Sequence, residues 1–246
     1  MPSFANNTLS EISGMNDLKK KPSPLIEILV NVVIPSLILM KLSSPEKLGT
    51  VNALIVALAF PVIYGGYDLL RNRHVNYIAI LGLVSVLLTG GIGLLKLDVK
   101  WLAIKEATIP AVIGIAVIIT SFTGSPLVKK LIFNPMIMAT DKVEEILGAR
   151  QSQGLFDQKL RFANHCLAGT FVFSAIMNYV LAKIIVTSET GTVAFNEELG
   201  KMTFLSYPVI AIPSMIMLFG IMWYVIHTIK NITGLTLEEI FDKDAE

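Results

Sequence analysis

The stretch from Leu83 to Pro110, LVSVLLTGGIGLLKLDVKWLAIKEATIP, constrains the fold more than any other part of the chain. Two apolar runs, each part of a segment of about twenty residues, flank a short polar turn with Lys96, Asp98 and Lys100, and Trp101 opens the second run. About twenty apolar residues is the length a bilayer demands of a spanning helix, and tryptophan concentrates at the membrane–water boundary. The second run then carries Lys105 and Glu106, charged neighbours inside an apolar segment, followed by Pro110.

The rest of the chain agrees with a membrane setting. Its apolar fraction is 53% and its charged fraction only 16%, where soluble domains carry about a quarter. Long apolar runs without period-two alternation predict an all-α polytopic protein rather than a barrel. Six spans are expected: 25–40, 48–70, 75–95, 101–120, 161–187 and 203–229. Residues 1–24 form a polar tail ending in Lys19, Lys20 and Lys21, and 231–246 a short acidic one. The first apolar run contains Glu27 and Asn31 and leads to KLSSPEK with no small-residue cleavage motif, so it reads as an uncleaved span.

Orientation follows from the connections. Lysine and arginine crowd the tail, the second connection (Arg71, Arg73) and the fourth (Lys129, Lys130, Lys142, Arg150, Lys159, with Arg161 at its end). On the opposite side Lys41, Lys47, Lys96, Lys100, Lys183 and Lys201 are diluted by Glu189, Glu197 and Glu198. The bias places both termini in the cytoplasm. Within the long connection 121–160, Leu127, Val128, Leu131 and Ile132 beside Lys129 and Lys130 predict a short helix on the inner leaflet, and Asp141 with Glu144 has capping-box spacing. A solvated linker with a helical turn or two is the other reading.

Glu106 is the most informative residue. It lies about 7 Å deeper than Trp101 at 1.5 Å per residue, where an unpaired carboxylate costs roughly 2.5–3.5 kcal/mol at the centre and less toward the edge. Adjacent side chains leave a helix about 100° apart, so Lys105 is not expected to serve it. Lys183 and Tyr207, at similar depth, are the expected partners. The arrangement is either a proton- or cation-binding carboxylate or an interhelical lock near the outer surface.

Glu27, Asn31 and Pro35 form a second polar stripe on the first span. Proline cannot donate to the carbonyl four residues earlier, so Pro35, Pro61, Pro110, Pro208 and Pro213 each deprive one carbonyl of its helical donor. Such carbonyls line sites in transporters, although proline in membrane helices also serves packing. On the third span Gly82, Ser85, Thr89 and Gly93 fall on one face, at the spacing of a close helix–helix contact. Thr170, Ser174 and Asn178 make a comparable stripe on the fifth, with Asn178 read as interhelical glue. A weak internal repeat pairs Asn31, Pro61 and Tyr64 with Asn178, Pro208, Pro213 and Tyr224. Tyr64, Asp68, Arg71, His74, His165 and His227 gather near the cytoplasmic face, the pattern of interfacial anchoring.

A net charge of +1 without a basic, aromatic-interleaved stripe argues against nucleic acid as a partner. The single cysteine, Cys166, excludes an internal disulfide and a multi-cysteine metal site. GGIG lacks the lysine and spacing of a phosphate loop, and no nucleophile elbow, zinc-protease helix or nucleotide fingerprint occurs. No enzymatic activity, cofactor or metal is expected. The partners expected are membrane lipids, with other inner-membrane proteins or a second copy as further candidates.

The long stretch GYDLLRNRHVNYIAILGLVSVLLTGGIGLLKLDVKWLAIKEATIP, with NVVIPSLILMKLS, ALAFPVIYGGYD, FSAIMNYVLAKIIV and FNEELGKMTFLSYPVIAIP, resembles a family of uncharacterised bacterial six-span inner-membrane proteins, some labelled transporters. The chain is similar, more distantly, to the intracellular septation protein A family: Gly90, Gly91 and Lys105 lie on that family's pattern, with Glu106 where it has proline. The resemblance implies a non-enzymatic protein of envelope organisation or division. The competing expectation is a small transporter or channel whose polar path is lined by Glu27, Asn31, Glu106 and Asn178. An enzyme acting on lipid ranks third.

Overall fold

In the computed structural model the chain is described over residues 24–72, 77–123, 126–135 and 138–241. The polar tail as far as residue 23, Arg73, His74 and the last five residues lie outside these. Among the described residues every regular element is helical. The first span is a broken helix: α1 (Pro24–Ile28), a π-helical turn (Leu29–Val33) and α2 (Ile34–Leu42). Then come α3 (Gly49–Asn72), α4 (Tyr77–Leu94) and α5 (Lys100–Thr120). Short helices α6 (Leu127–Ile132) and α7 (Thr140–Ala149) lead to α8 (Gln153–Ile185). α9 (Val193–Ser206) continues through a second π turn (Tyr207–Ala211) into α10 (Ile212–Thr233), and α11 (Leu237–Phe241) ends the described chain.

Five segments are long and apolar enough to cross a bilayer: Leu25–Leu42, Gly49–Tyr67, Lys100–Thr120, Gln153–Ile185 and Val193–Thr233. Helix α4 is apolar as well, but its stretch Ile80–Leu94 is shorter than those five. The last two helices start well before the expected boundaries. α8 begins at Gln153 rather than at Arg161 because Phe156 and Leu160 are fully buried and extend the helix into the connection. α9 begins at Val193 rather than at Thr203 because its polar first turns find partners, most of them on other segments. The Thr192 hydroxyl accepts the Phe195 N–H at 3.1 Å. Asn196 donates to Ser43 Oγ at 3.0 Å and to the Thr50 carbonyl at 2.8 Å. Glu198 accepts the backbone N–H groups of Thr187 and Ser188, both at 2.8 Å.

Both π turns end two residues before a proline, Pro35 and Pro213. In each, the residue just before that proline donates five residues back: Ile34 N–H to the Leu29 carbonyl and Ile212 N–H to the Tyr207 carbonyl. Widening the helix by one residue accommodates a ring that removes a donor and crowds the preceding turn. Pro61 and Pro110, by contrast, sit inside continuous α-helices.

Two apolar clusters hold the bundle. One, at the end with the long connection, joins Val117, Val128, Val143, Leu147, Phe156, Leu160, Val225, Ile229 and Ile240. The amphipathic α6 therefore does not present its apolar face to a leaflet: Val128 is fully buried in this cluster, Leu127 and Ile132 pack against it, and only Leu131 remains exposed. Asn164, fully buried on α8, ties the connection down. Its carbonyl accepts the Val128 N–H at 3.1 Å, and its amide donates to the Val117 carbonyl at 2.8 Å and to Ser121 Oγ at 2.7 Å. No side chain caps α7, so the Asp141–Glu144 capping box does not form. A reciprocal one forms at α11 instead: Thr236 N–H donates to Glu239 at 2.8 Å, and Glu239 N–H to the Thr236 hydroxyl at 3.3 Å. With Ile240 buried, that segment is docked. The second cluster, at the other end, gathers Leu39, Leu54, Ala57, Leu102, Ala182, Phe195, Leu199 and Met202. There α2 crosses α9 at Gly200, where an added Cβ would lie 2.8 Å from the Ser36 carbonyl oxygen.

Candidate functional site

Between the second cluster and the middle of the bundle lies a cavity of about 200 Å³. Its walls come from the first span, α3, α4, α5, α8 and α9, and its polar lining includes Asn31, Ser36, Ser85, Lys105, Glu106 and Asn178. Asn31 lines it from the π turn, Pro61 lines it from within continuous α3, one turn after Ala57, and Ser85 and Thr89 of α4 receive the head of Lys105.

The charged neighbours of α5 pair with each other. Lys105 Nζ stands 2.6 Å from Glu106 Oε1, with the lysine side chain 9% exposed and the glutamate 22%. The expectation that adjacent residues cannot meet fails here because the 100° separation applies to the Cα–Cβ directions. A four-carbon stem can wrap around the helix, and an apolar setting rewards it for doing so. Nζ also donates to Thr89 Oγ1 at 2.7 Å, to Ser85 Oγ at 3.1 Å and toward the Ser85 carbonyl at 3.4 Å. Three N–H bonds thus meet four acceptors.

This changes the role of the small-residue face on α4. Gly93 does make a close helix contact, since an added Cβ would lie 2.6 Å from Leu54 Cδ2. Gly82, at the other end of the face, has open space beside it. Ser85 and Thr89 between them serve as the cage of an ammonium group rather than as a packing surface.

The remaining sequence candidates separate. Asn31, Lys105, Glu106 and Asn178 come together around the cavity. Asn178 does not bridge helices among the described residues: its amide donates to the Ser174 carbonyl at 2.8 Å and to Ser174 Oγ at 3.2 Å, one turn back on α8. Glu27 is exposed and accepts the Tyr64 hydroxyl at 3.1 Å, with Tyr207 within its electrostatic reach rather than within that of Glu106. Lys183 is exposed, its ammonium 5.8 Å from the centre of the Tyr179 ring. Of the histidines, His165 is bonded to the Arg161 carbonyl of its own helix and His227 is stacked on Trp223.

One residue of the cavity escaped the sequence reading. Ser36, 1% exposed, lines the cavity, and among the described residues its hydroxyl has no hydrogen-bond partner. Its only signal is adjacency to Pro35, which is weak because serine is ordinary in membrane helices.

A second cavity of about 330 Å³ adjoins the first. Ser85, Glu106 and Asn178 belong to the walls of both, and Gly82, Pro110 and Ser174 line the second alone. Of the ion pair, Glu106 borders both cavities and Lys105 the first. Among the described residues no three His, Cys, Asp or Glu side chains converge. The chemistry present is an ion pair, hydroxyls and amides, suited to binding and release.

Comparison of the chain with known protein families, with curated proteins and with solved structures finds no match.

Proposed function

We propose that the chain is a six-span inner-membrane protein with both termini in the cytoplasm, and that it carries a small polar solute across the bilayer through the site around Glu106. One observation supports this most: Glu106, paired with Lys105, lines both of two adjoining cavities. A buried ion pair of this kind is seldom a net source of stability, because taking both ions from water offsets their attraction. Charged groups within spans more often mark a path. The two π turns before Pro35 and Pro213 border the same region and give the wall helices weakened points at which they can flex. The competing reading is a packed protein of envelope organisation, as the resemblance implies, with the ion pair as a lock.

Water decides between them. A solute site is wet, and Met202 lines the cavity, whereas Met138 is sealed in the cluster at the other end. Brief hydroxyl-radical exposure of the full chain in membrane vesicles should convert Met202 to its sulfoxide at least tenfold faster than Met138. Equal protection of both methionines would favour the packed reading.

A further inference from the structure

Charge and valence at the cavity select a class of solute. Lys105 has three N–H bonds and four acceptors within reach, and its side chain is 9% exposed, so an anion would have to break an existing bond to use it. Glu106 is in the opposite state. One oxygen takes Lys105, and the other makes no hydrogen bond among the described residues while the side chain lines both cavities. Ser36 adds a fully buried hydroxyl with no partner among the described residues. The Ala57 carbonyl lacks its helical donor because Pro61 has no N–H, and both residues line the cavity. The open valences include a carboxylate oxygen, a carbonyl and a hydroxyl, all acceptors, and the charged group that keeps an open valence is the carboxylate, whose other oxygen is paired with Lys105. One water needs only about 10–15 Å³, so a cavity of about 200 Å³ has room for a solute of several heavy atoms.

We infer that the site takes a small primary alkylammonium, its N–H donors shared between Glu106, Ser36 and the Ala57 carbonyl, with the apolar part against Leu39, Leu199 and Met202. The assignment rests on the cavity being the solute site proposed above.

The test is thermal unfolding of the purified full chain in detergent, at constant ionic strength, with ethylammonium chloride against sodium chloride, tetramethylammonium chloride and sodium propionate. Ethylammonium should raise the midpoint saturably, by about 5 °C or more near a hundred times its Kd, and the other three should not. Glu106→Gln should abolish the shift. Ser36→Ala, which keeps the carboxylate, should weaken the apparent affinity by about tenfold, so the test survives if Glu106→Gln does not fold. The assignment is overturned by no response to ethylammonium, by an equal response to propionate, sodium or tetramethylammonium, or by an undiminished response in either variant. A wet cavity with no ethylammonium response removes the cation and leaves transport standing. An ethylammonium response in a protein whose Met202 is as protected as Met138 removes transport and leaves the binding site.

Discussion

Replacing Lys105 with methionine should be far more damaging than replacing Lys105 and Glu106 together. Charges 2.6 Å apart attract by about 6 kcal/mol at an effective dielectric near 20. Withdrawing each ion from water costs several kcal/mol, so the intact pair nets close to zero. Lys105→Met keeps the volume but leaves the Glu106 carboxylate, 22% exposed, without its counter-ion. Losing one partner of a buried pair costs about 3–5 kcal/mol, which for a chain of 246 residues lowers the unfolding midpoint by roughly 10 °C. Glu106→Met should cost less, because Thr89 and Ser85 still accept from Lys105. The double variant should come back to within about 1 kcal/mol of the parent, as paired ions replaced by apolar groups of like volume generally do. Thermal unfolding of all four proteins in the same detergent gives the coupling directly. Additive losses, with the double variant the least stable, would refute the pairing.

Three further outcomes follow from the packing. Asn164→Leu removes the partners of Val128 N–H and Ser121 Oγ in a closed interior and should lower stability by about 3 kcal/mol; proteolysis of the 121–152 connection in vesicles reads it, and unchanged resistance would contradict it. Gly200→Ala places a Cβ 2.8 Å from the Ser36 carbonyl oxygen and 2.9 Å from Met40 Cγ, so α2 and α9 must separate; a loss of about 1–3 kcal/mol is expected, and a neutral result would argue against the crossing. The Thr236 backbone N–H and hydroxyl, with Lys142 beside them, hold the Glu239 carboxyl below the ordinary glutamate range. A depressed folded pKa stabilises the docked C-terminal segment above the unfolded value of about 4.3, and that contribution disappears as pH falls through the folded value. The protection factors of the amides at Leu237–Phe241, with the pH dependence of intrinsic exchange divided out, should therefore fall at acid pH in the parent and be low already at neutral pH in Glu239→Gln; a parent whose protection factors do not change with acid would refute it.

The helical, membrane-crossing character was legible because it rests on run length and composition, which need no partner. Helix ends were legible only where polarity changes abruptly. α9 runs ten residues past its apolar stretch because Asn196 and Glu198 find acceptors and donors on other segments, and such partners are not encoded next to them. The same holds inside the bundle. Asn31, Lys105, Glu106 and Asn178 stood out as polar residues in apolar runs, and they do share a cavity. Their pairings were not readable: Lys105 wraps back to its neighbour, Ser85 and Thr89 coordinate it, and Asn178 bonds its own helix. Ser36 and Asn164 went unnoticed because a lone serine or asparagine has the same local sequence whether its amide or hydroxyl is saturated, as in Asn164, or orphaned, as in Ser36.

The central claim is that Glu106 stands on a path reached from both sides of the membrane. With Cys166 replaced by serine, single cysteines at 31, 106 and 178 can be labelled by a membrane-impermeant thiol reagent from each side in turn. The account predicts labelling at 106 and 178 from both sides, with the balance at 178, where the Glu106 carboxylate is kept, shifted by ethylammonium. Labelling from one side only, or protection of all three positions under every condition, would contradict it.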